Sequence, residues 1–378
     1  MPRRRTATER ELILLMCGSR EIAHARATEA VELGRRSRSD VLLTLLRRLN
    51  LVSLIGGRLL EAQAPVDGSF AREVTAAIDA ARHRGSIFDV ITLGVLGMLE
   101  KAGIRAMPLK GSALARDLYG DPGLRTSIDI DVLVTAQDLA HAASVIAKMG
   151  WVAQERASGG LPLLHETLVH PELPRIELHW RVHWYETRFA ADALSRAQRP
   201  APGEPLRMQP ADELASLLLF YQRDGFAGLR SPADVAAWWS TNHARLGAGD
   251  SIDAIAGRYP SLSAPMTVAA GVLGGLVGVP VSPPRSVGLR QRWARALANP
   301  FLDGDVSQIR ANASLIDLLL APAHGHLASV RRELDRTPVE KWTPDAAAES
   351  PVVGLVRLEH AVRMLRRWTV ASARVLGR

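Results

Sequence analysis

Asp129 and Asp131 lie in the run Ile128-Asp129-Ile130-Asp131-Val132-Leu133-Val134. Its polar/apolar alternation predicts a strand, in which residues i and i+2 project to one face. Two carboxylates then stand side by side while Ile130 turns into the core. Like charges that close are costly without positive charge between them. Hard divalent cations such as Mg²⁺ take oxygen ligands and complete their shell with substrate phosphates. Glu177 sits in a second alternating run, Arg175-Ile176-Glu177-Leu178-His179, and a neighbouring strand would carry it to the same rim. Three carboxylates around a pair of cations suit two-metal phosphoryl transfer.

Lys110-Gly111-Ser112 supplies the other half of such chemistry. Glycine after a strand lets backbone approach phosphate, and the free N–H groups of the following helix face an anion. Ser112 adds a hydroxyl donor, and Lys110 and Arg125 are candidate countercharges for phosphate oxygens. His179, two residues after Glu177, shares its face in a regular strand and could touch a phosphate or the acceptor. Each fragment alone has a bland reading: a solvated strand edge, a turn, a surface acid, a hydrogen-bonded histidine. The order strand, Gly-Ser, helix, D-x-D strand and later strand acid is far more restrictive.

Positioning these groups requires a small sheet. Ile104 to Leu109 reads as a short strand, Ala113 to Tyr119 as a helix, and Gly120 to Gly123 as a turn. Leu139 to Met149 returns to helix. Thr167 to His170 and Arg175 to Val182 read as a hairpin joined by Pro171-Glu172-Leu173-Pro174. Residues 6 to about 104 are helical by period, with Val41, Leu42, Leu45, Leu46 and Leu49 on one face and Ser39-Asp40 as the expected cap. The long pattern from Phe70 to Ala102 follows a break at Pro65–Ser69. Beyond the Pro-rich stretch Arg199–Pro210, helices are expected at Leu214–Tyr221, Ala233–Trp239 and Val268–Val277. The segment Pro280–Arg285 reads as a further break. A last amphipathic helix carries Leu355, Leu358, Val362, Leu365 and Trp368 with Arg357, Arg363, Arg366 and Arg367 around it. The expected fold class is α+β: residues 1–100 a helical region, 101–195 the α/β core, and 196–378 a second helical region.

The chain of 378 residues is 47% hydrophobic and 23% charged, which suits a folded protein with an ample core. A single cysteine, Cys17, excludes an intramolecular disulfide framework and Cys-rich zinc ribbons. Forty-seven Lys+Arg against 39 Asp+Glu give +8, which permits polyanionic partners without selecting one. No stretch is expected to span a membrane. Leu12–Cys17 is too short and too acidic at its flank for a secretory signal, so a cytoplasmic location is expected. His165, His170, His179 and His183 invite a zinc reading. His165-Glu166-Thr167-Leu168-Val169-His170 is one residue too long for H-E-x-x-H, and on a strand the two rings face opposite sides, so zinc is not expected. Trp180, Trp184 and Trp238-Trp239 are stacking candidates for a base, with interior packing the commoner role.

Leu109-Lys110-Gly111-Ser112, then Tyr119, Arg125 and Asp129-Ile130-Asp131-Val132-Leu133-Val134, resemble the DNA polymerase β-like nucleotidyltransferase superfamily. More narrowly they resemble its bacterial uncharacterised nucleotidyltransferase family, with L-K-G followed by R-x-x-x-D-I-D-L-L-V. Ile176-Glu177-Leu178-His179-Trp180-Arg181 matches that family's acid-L-H-W strand. The resemblance covers about residues 85–240. It implies a polymerase β-like core and transfer of a nucleoside monophosphate from an NTP to a hydroxyl or phosphate, dependent on Mg²⁺ or Mn²⁺. Asp129, Asp131 and Glu177 would be the catalytic metal ligands, with Gly111 and Ser112 holding the triphosphate. The chain departs from the wider superfamily in the 16 residues between Ser112 and Asp129 and in having Glu at the third acidic position. The acceptor stays open among a small metabolite or antibiotic, a peptide natural product, a protein side chain and an RNA end. Competing readings are a non-catalytic nucleotide-binding scaffold and a nucleic-acid-binding helical protein, the latter lacking a basic recognition stripe.

Overall fold

The computed structural model describes residues 6–154, 164–186, 188–247, 251–280, 288–322, 365–370 and 372. Six α-helices precede the sheet: α1 Ala7–Met16, α2 Arg20–Ala25, α3 Ala27–Arg36, α4 Ser39–Leu49, α5 Gly57–Glu61 and α6 Gly68–Lys101. The Asp67 carboxylate accepts from Phe70 N at 2.7 Å and starts the 34-residue α6, as a side-chain cap should. Ser39 opens α4 as its first residue, after an uncapped Arg38. A π-helical segment, Val52–Gly56, joins α4 to α5.

The sheet comprises β1 Met107–Pro108, β2 Asp129–Leu133, β3 Val152–Ala153, β4 His165–Val169 and β5 Arg175–His179, in the order β1-β2-β5-β4-β3. β1 is shorter than expected, and β3 is an edge strand the sequence pattern does not announce. Helix α7, Ser112–Tyr119, lies between β1 and β2, and α8, Leu139–Ala147, follows β2. β4 and β5 are antiparallel, as a hairpin must be, whereas β2 and β5 run parallel through a long crossover.

Alternation divides the sheet cleanly. Ile130, Val132, Leu168, Ile176 and Leu178 bury one face against Val95 and Leu99 of α6 and Ala142 and Ile146 of α8. Asp129, Asp131, Glu177 and His179 occupy the opposite face. After the sheet come α9 Phe189–Arg196, α10 Pro210–Arg223, α11 Arg230–Asn242, α12 Ile252–Arg258, α13 Ser263–Val277, α14 Leu289–Ala296 and α15 Val306–Leu320, and the acidic face looks toward α10 and α11 among them. Helices before and after the sheet share one core, in which Leu12, Leu42 and Leu46 join Leu218, Trp238 and Leu273. Arg10 adds a paired contact to Asp303, at 3.0 and 2.5 Å.

Pro260–Val277 is 18 residues long with a mean hydropathy of 1.4, long and apolar enough to cross a membrane by those measures. It carries no charged residue because it is a core helix: Met266, Ala269, Ala270 and Leu273 are buried in the protein. Pro280 closes the described residues there, so the expected break at Pro280–Arg285 lies mostly outside them. Most of the Arg-bordered C-terminal helix also lies outside, apart from a helical stretch at residues 365–370.

Candidate active site

The parallel β2–β5 register pairs Asp129 with Arg175, Asp131 with Glu177 and Leu133 with His179. Residues at one level of adjacent strands share a face, about 4.8 Å apart. The two runs singled out by alternation therefore meet on one surface. The β4–β5 register sets His165 opposite His179 and Thr167 opposite Glu177.

Asp131 is the most enclosed acid of the set, with 1% of its side chain exposed. Its Oδ1 lies 3.2 Å from Lys110 Nζ and 2.9 Å from His179 Nε2. Burial works to raise this carboxyl, but the Lys110 ammonium and the His179 hydrogen bond outweigh it and hold the group well below the usual carboxylate range. Asp129 is held by Arg175, 3.2 Å away. Glu177 is half-buried, with Oε1 3.6 Å from Arg175 and Oε2 3.4 Å from His179 Nε2 and 3.6 Å from His165 Nε2. Burial opposes its ionisation, yet His179 and His165 leave its carboxyl below the ordinary value. Burial and the neighbouring His179 push the His165 imidazole down to about 4, which leaves it neutral at neutral pH.

Lys110, Arg125, Asp129 and Asp131 line a solvent-open cleft, closed on the far side by Leu217 and Phe220 of α10, by Asp224 just after it, and by Arg230, Ser231 and Asp234 of α11. Lys110 also sits over the Phe220 ring, 5.1 Å from its centroid. The Arg125 guanidinium, expected to face phosphate, is engaged elsewhere. It donates to both Asp234 oxygens at 3.1 and 3.0 Å, to the Gly111 carbonyl at 3.3 Å and to Ser127 Oγ at 3.2 Å. Buried charge needs a partner, and Asp234 is the one available. Tyr119 donates to the same carboxylate at 2.9 Å.

Gly111 has φ +90° and ψ −146° at the start of α7, a conformation that costs side-chain-bearing residues strain. Its requirement for glycine is thus geometric. Ser112 is 6% exposed; the hydroxyls on the cleft wall are those of Ser127 and Ser231. Sequence reasoning missed Arg230, which is half-buried and donates to the Thr126 carbonyl. Burial and the nearby Arg125 bring its guanidinium down to about 10. An isolated arginine after a Gly-rich turn carries no signal of this placement.

The other histidines separate. His170 Nδ1 accepts from Glu172 N at 3.1 Å and Leu173 N at 3.2 Å and shapes the hairpin turn. His183 is buried against Gln222. Trp238 is fully buried and donates to Glu213 at 2.7 Å, which makes it a core residue; Trp180 carries the Arg181 guanidinium 3.9 Å above its ring.

Comparison with known proteins gives two findings. The family described as uncharacterised nucleotidyltransferase matches residues 36–262. Among solved structures, the chain is similar to the antibiotic-resistance factor ANT(2'')-Ia at 15% identity with a TM-score of 0.32, over 46% of this chain and 94% of that one. No curated protein matches.

Proposed function

Since the chain belongs to the uncharacterised nucleotidyltransferase family, we propose that it moves a nucleoside monophosphate from an NTP to a hydroxyl of an acceptor, with a divalent cation as cofactor. The observation that carries this reading is the in-register placement of Asp131 beside Glu177, with Asp129 on the same face and both aspartates opening onto a cleft. Three carboxylates on one face of the sheet form an oxygen donor set of the kind Mg²⁺ or Mn²⁺ takes. Asp129, Asp131 and Glu177 would hold the metal, which offsets charge developing on the transferred phosphoryl group and the leaving pyrophosphate.

The chain's own groups do the rest. The start of α7 at Gly111 offers backbone N–H groups toward a triphosphate. Lys110 and Arg230 supply positive charge on either side of the cleft. Phe220 gives the cleft an apolar surface beside Lys110. The acceptor oxygen forms a bond to the α-phosphorus while the bond to the β-phosphate oxygen breaks, and Glu177 takes the acceptor proton. Lys110 and Arg175, which neutralise Asp131 and Asp129 here, exchange those partners for phosphate when metal and nucleotide arrive.

Those same ion pairs favour a second reading, a nucleotide-binding scaffold without turnover. Incubation with each NTP, Mg²⁺ or Mn²⁺ and a host extract separates the two. A nucleotide-sized mass gain on an acceptor, with pyrophosphate release lost in Asp131→Asn, supports transfer; nucleotide binding without pyrophosphate release supports the scaffold.

A further inference from the structure

We propose that His165, Glu177 and His179 form a binding site for one borderline first-row transition-metal cation, of which Zn²⁺ is the type, next to the carboxylate pair of the cleft. One ligand atom from each lies within 4.8 Å of the others, a convergence found once among the described residues. The sheet builds it: β5 alternation puts Glu177 and His179 on one face, and the antiparallel register brings His165 across from His179, with ring centroids 4.7 Å apart.

The spacing suits a small ion. A tetrahedral site with metal–ligand bonds of about 2.1 Å has ligand–ligand edges of about 3.4 Å. The observed edges are 3.4 Å for His179 Nε2 to Glu177 Oε2 and 3.6 Å for His165 Nε2 to the same oxygen. Ligation through His179 Nε2 exchanges its 2.9 Å contact with Asp131 for the metal and leaves Nδ1 facing the Arg181 carbonyl at 3.4 Å, the outer hydrogen bond that metal-bound histidines use to fix tautomer and orientation. His165 Nδ1 is buried and has no hydrogen-bond partner among the described residues. Glu177 divides its oxygens, Oε2 toward the two imidazoles and Oε1 toward Arg175. One carboxylate can thereby serve this site while keeping its pairing with Arg175.

Ligand type sets the metal. Imidazole suits Zn²⁺, Co²⁺ and Ni²⁺, whereas Mg²⁺ prefers oxygen and retains its waters. The site goes beyond the proposed transfer and shares only Glu177 with it, so the two histidines are the variants that separate the readings. Its test reads metal binding, without nucleotide: Co²⁺ alone is titrated into the metal-free full chain, followed by visible ligand-field absorption and metal stoichiometry.

The expected result is ligand-field absorption of a nitrogen-ligated Co²⁺, displaced by Zn²⁺ but not by an equal concentration of Mg²⁺. His165→Gln should weaken Co²⁺ binding at least tenfold, while Asp129→Asn, outside the set, leaves it intact. His179→Gln serves as a second ligand variant, with melting curves of both showing that the fold persists. Equal Co²⁺ affinity in wild type and His165→Gln, competition by equimolar Mg²⁺, or an equal loss in Asp129→Asn would overturn the assignment.

Discussion

Asp131 and Glu177 occupy the same level of two parallel strands that are 46 positions apart in the chain, and His179 Nε2 stands between their carboxylates, 2.9 Å from one and 3.4 Å from the other. The pair behaves as one electrostatic unit with Lys110 as its cation. Asp131→Asn should abolish nucleotidyl transfer while keeping the fold. It leaves Lys110 without its closest anion, so a stability loss of about 1–3 kcal/mol accompanies it. Initial rates beside urea melts separate the two effects, and an Asn variant retaining wild-type rate would count against catalysis at this carboxylate.

Glu177→Gln should lose activity comparably, and Asp131→Asn/Glu177→Gln should lose little more than either alone, because residues that act as a unit are not additive. Fully multiplicative losses in the double variant would place Glu177 outside the unit.

Two glycines should respond differently to alanine. At Gly111 (φ +90°) the nearest atom to an added Cβ is Ser127 Oγ at 3.8 Å, so the penalty is conformational, about 1–3 kcal/mol. At Gly225 (φ +68°) a Cβ would lie 2.3 Å from the Ala313 Cβ and 2.6 Å from its Cα, adding a backbone clash between α10's end and α15. Denaturant midpoints should fall further for Gly225→Ala than for Gly111→Ala, and only the latter should also weaken NTP affinity in calorimetry.

Acid should destabilise the metal-free chain through Asp131 and Glu177. Both carboxyls are lowered in the fold, so between folded and unfolded pKa values the unfolded chain binds more protons, and stability rises with pH. Their contribution is complete above about pH 5 and is lost as pH falls through the folded values. Glu186 has the opposite sign. Burial pushes its carboxyl up to about 7, against backbone hydrogen bonds from Val182, Ala190 and His183. Its deprotonation therefore erodes stability as pH climbs from 4.5 to 7. Melting temperatures of Asp131→Asn across pH 3–5 should show a shallower slope than wild type.

Asp234→Ala should cost about 3–5 kcal/mol, because it leaves the buried Arg125 guanidinium without its anion. Asp234→Asn should recover part of that by keeping an acceptor for Arg125 and Tyr119. Thermal melts of both variants, compared with a surface control such as Asp40→Ala, check the ordering.

Much of the site could be read in the sequence because it is written in local alternation. Period 2 places Asp129 with Asp131 and Glu177 with His179 without any tertiary knowledge. The hairpin follows from its Pro-bounded turn, and the start of α7 from Gly111. What local patterns do not encode is register across a crossover, so Asp131 opposite Glu177 needed the folded sheet. His165 was set aside by comparing it along the chain with His170, whereas its partner is His179 across the hairpin. Arg230 and Asp234 come from a helix a hundred residues beyond the D-x-D strand, where no spacing points back to it. The apolar 260–277 helix shows the same limit. Charge is missing there because neighbours bury it, and neighbours are what a single sequence does not display.

The Arg125–Asp234 pair has a bearing on ligand entry. It fastens the segment leading into β2 to α11, and so ties the acidic wall of the cleft to the wall that carries Arg230. Rocking one wall away from the other would pull apart two buried opposite charges. A ligand entering the cleft therefore competes with side-chain pairs, Lys110 with Asp131 and Arg175 with Asp129, and not with the join between the walls. A clamp of this kind makes the cleft a slot whose two walls keep a set spacing.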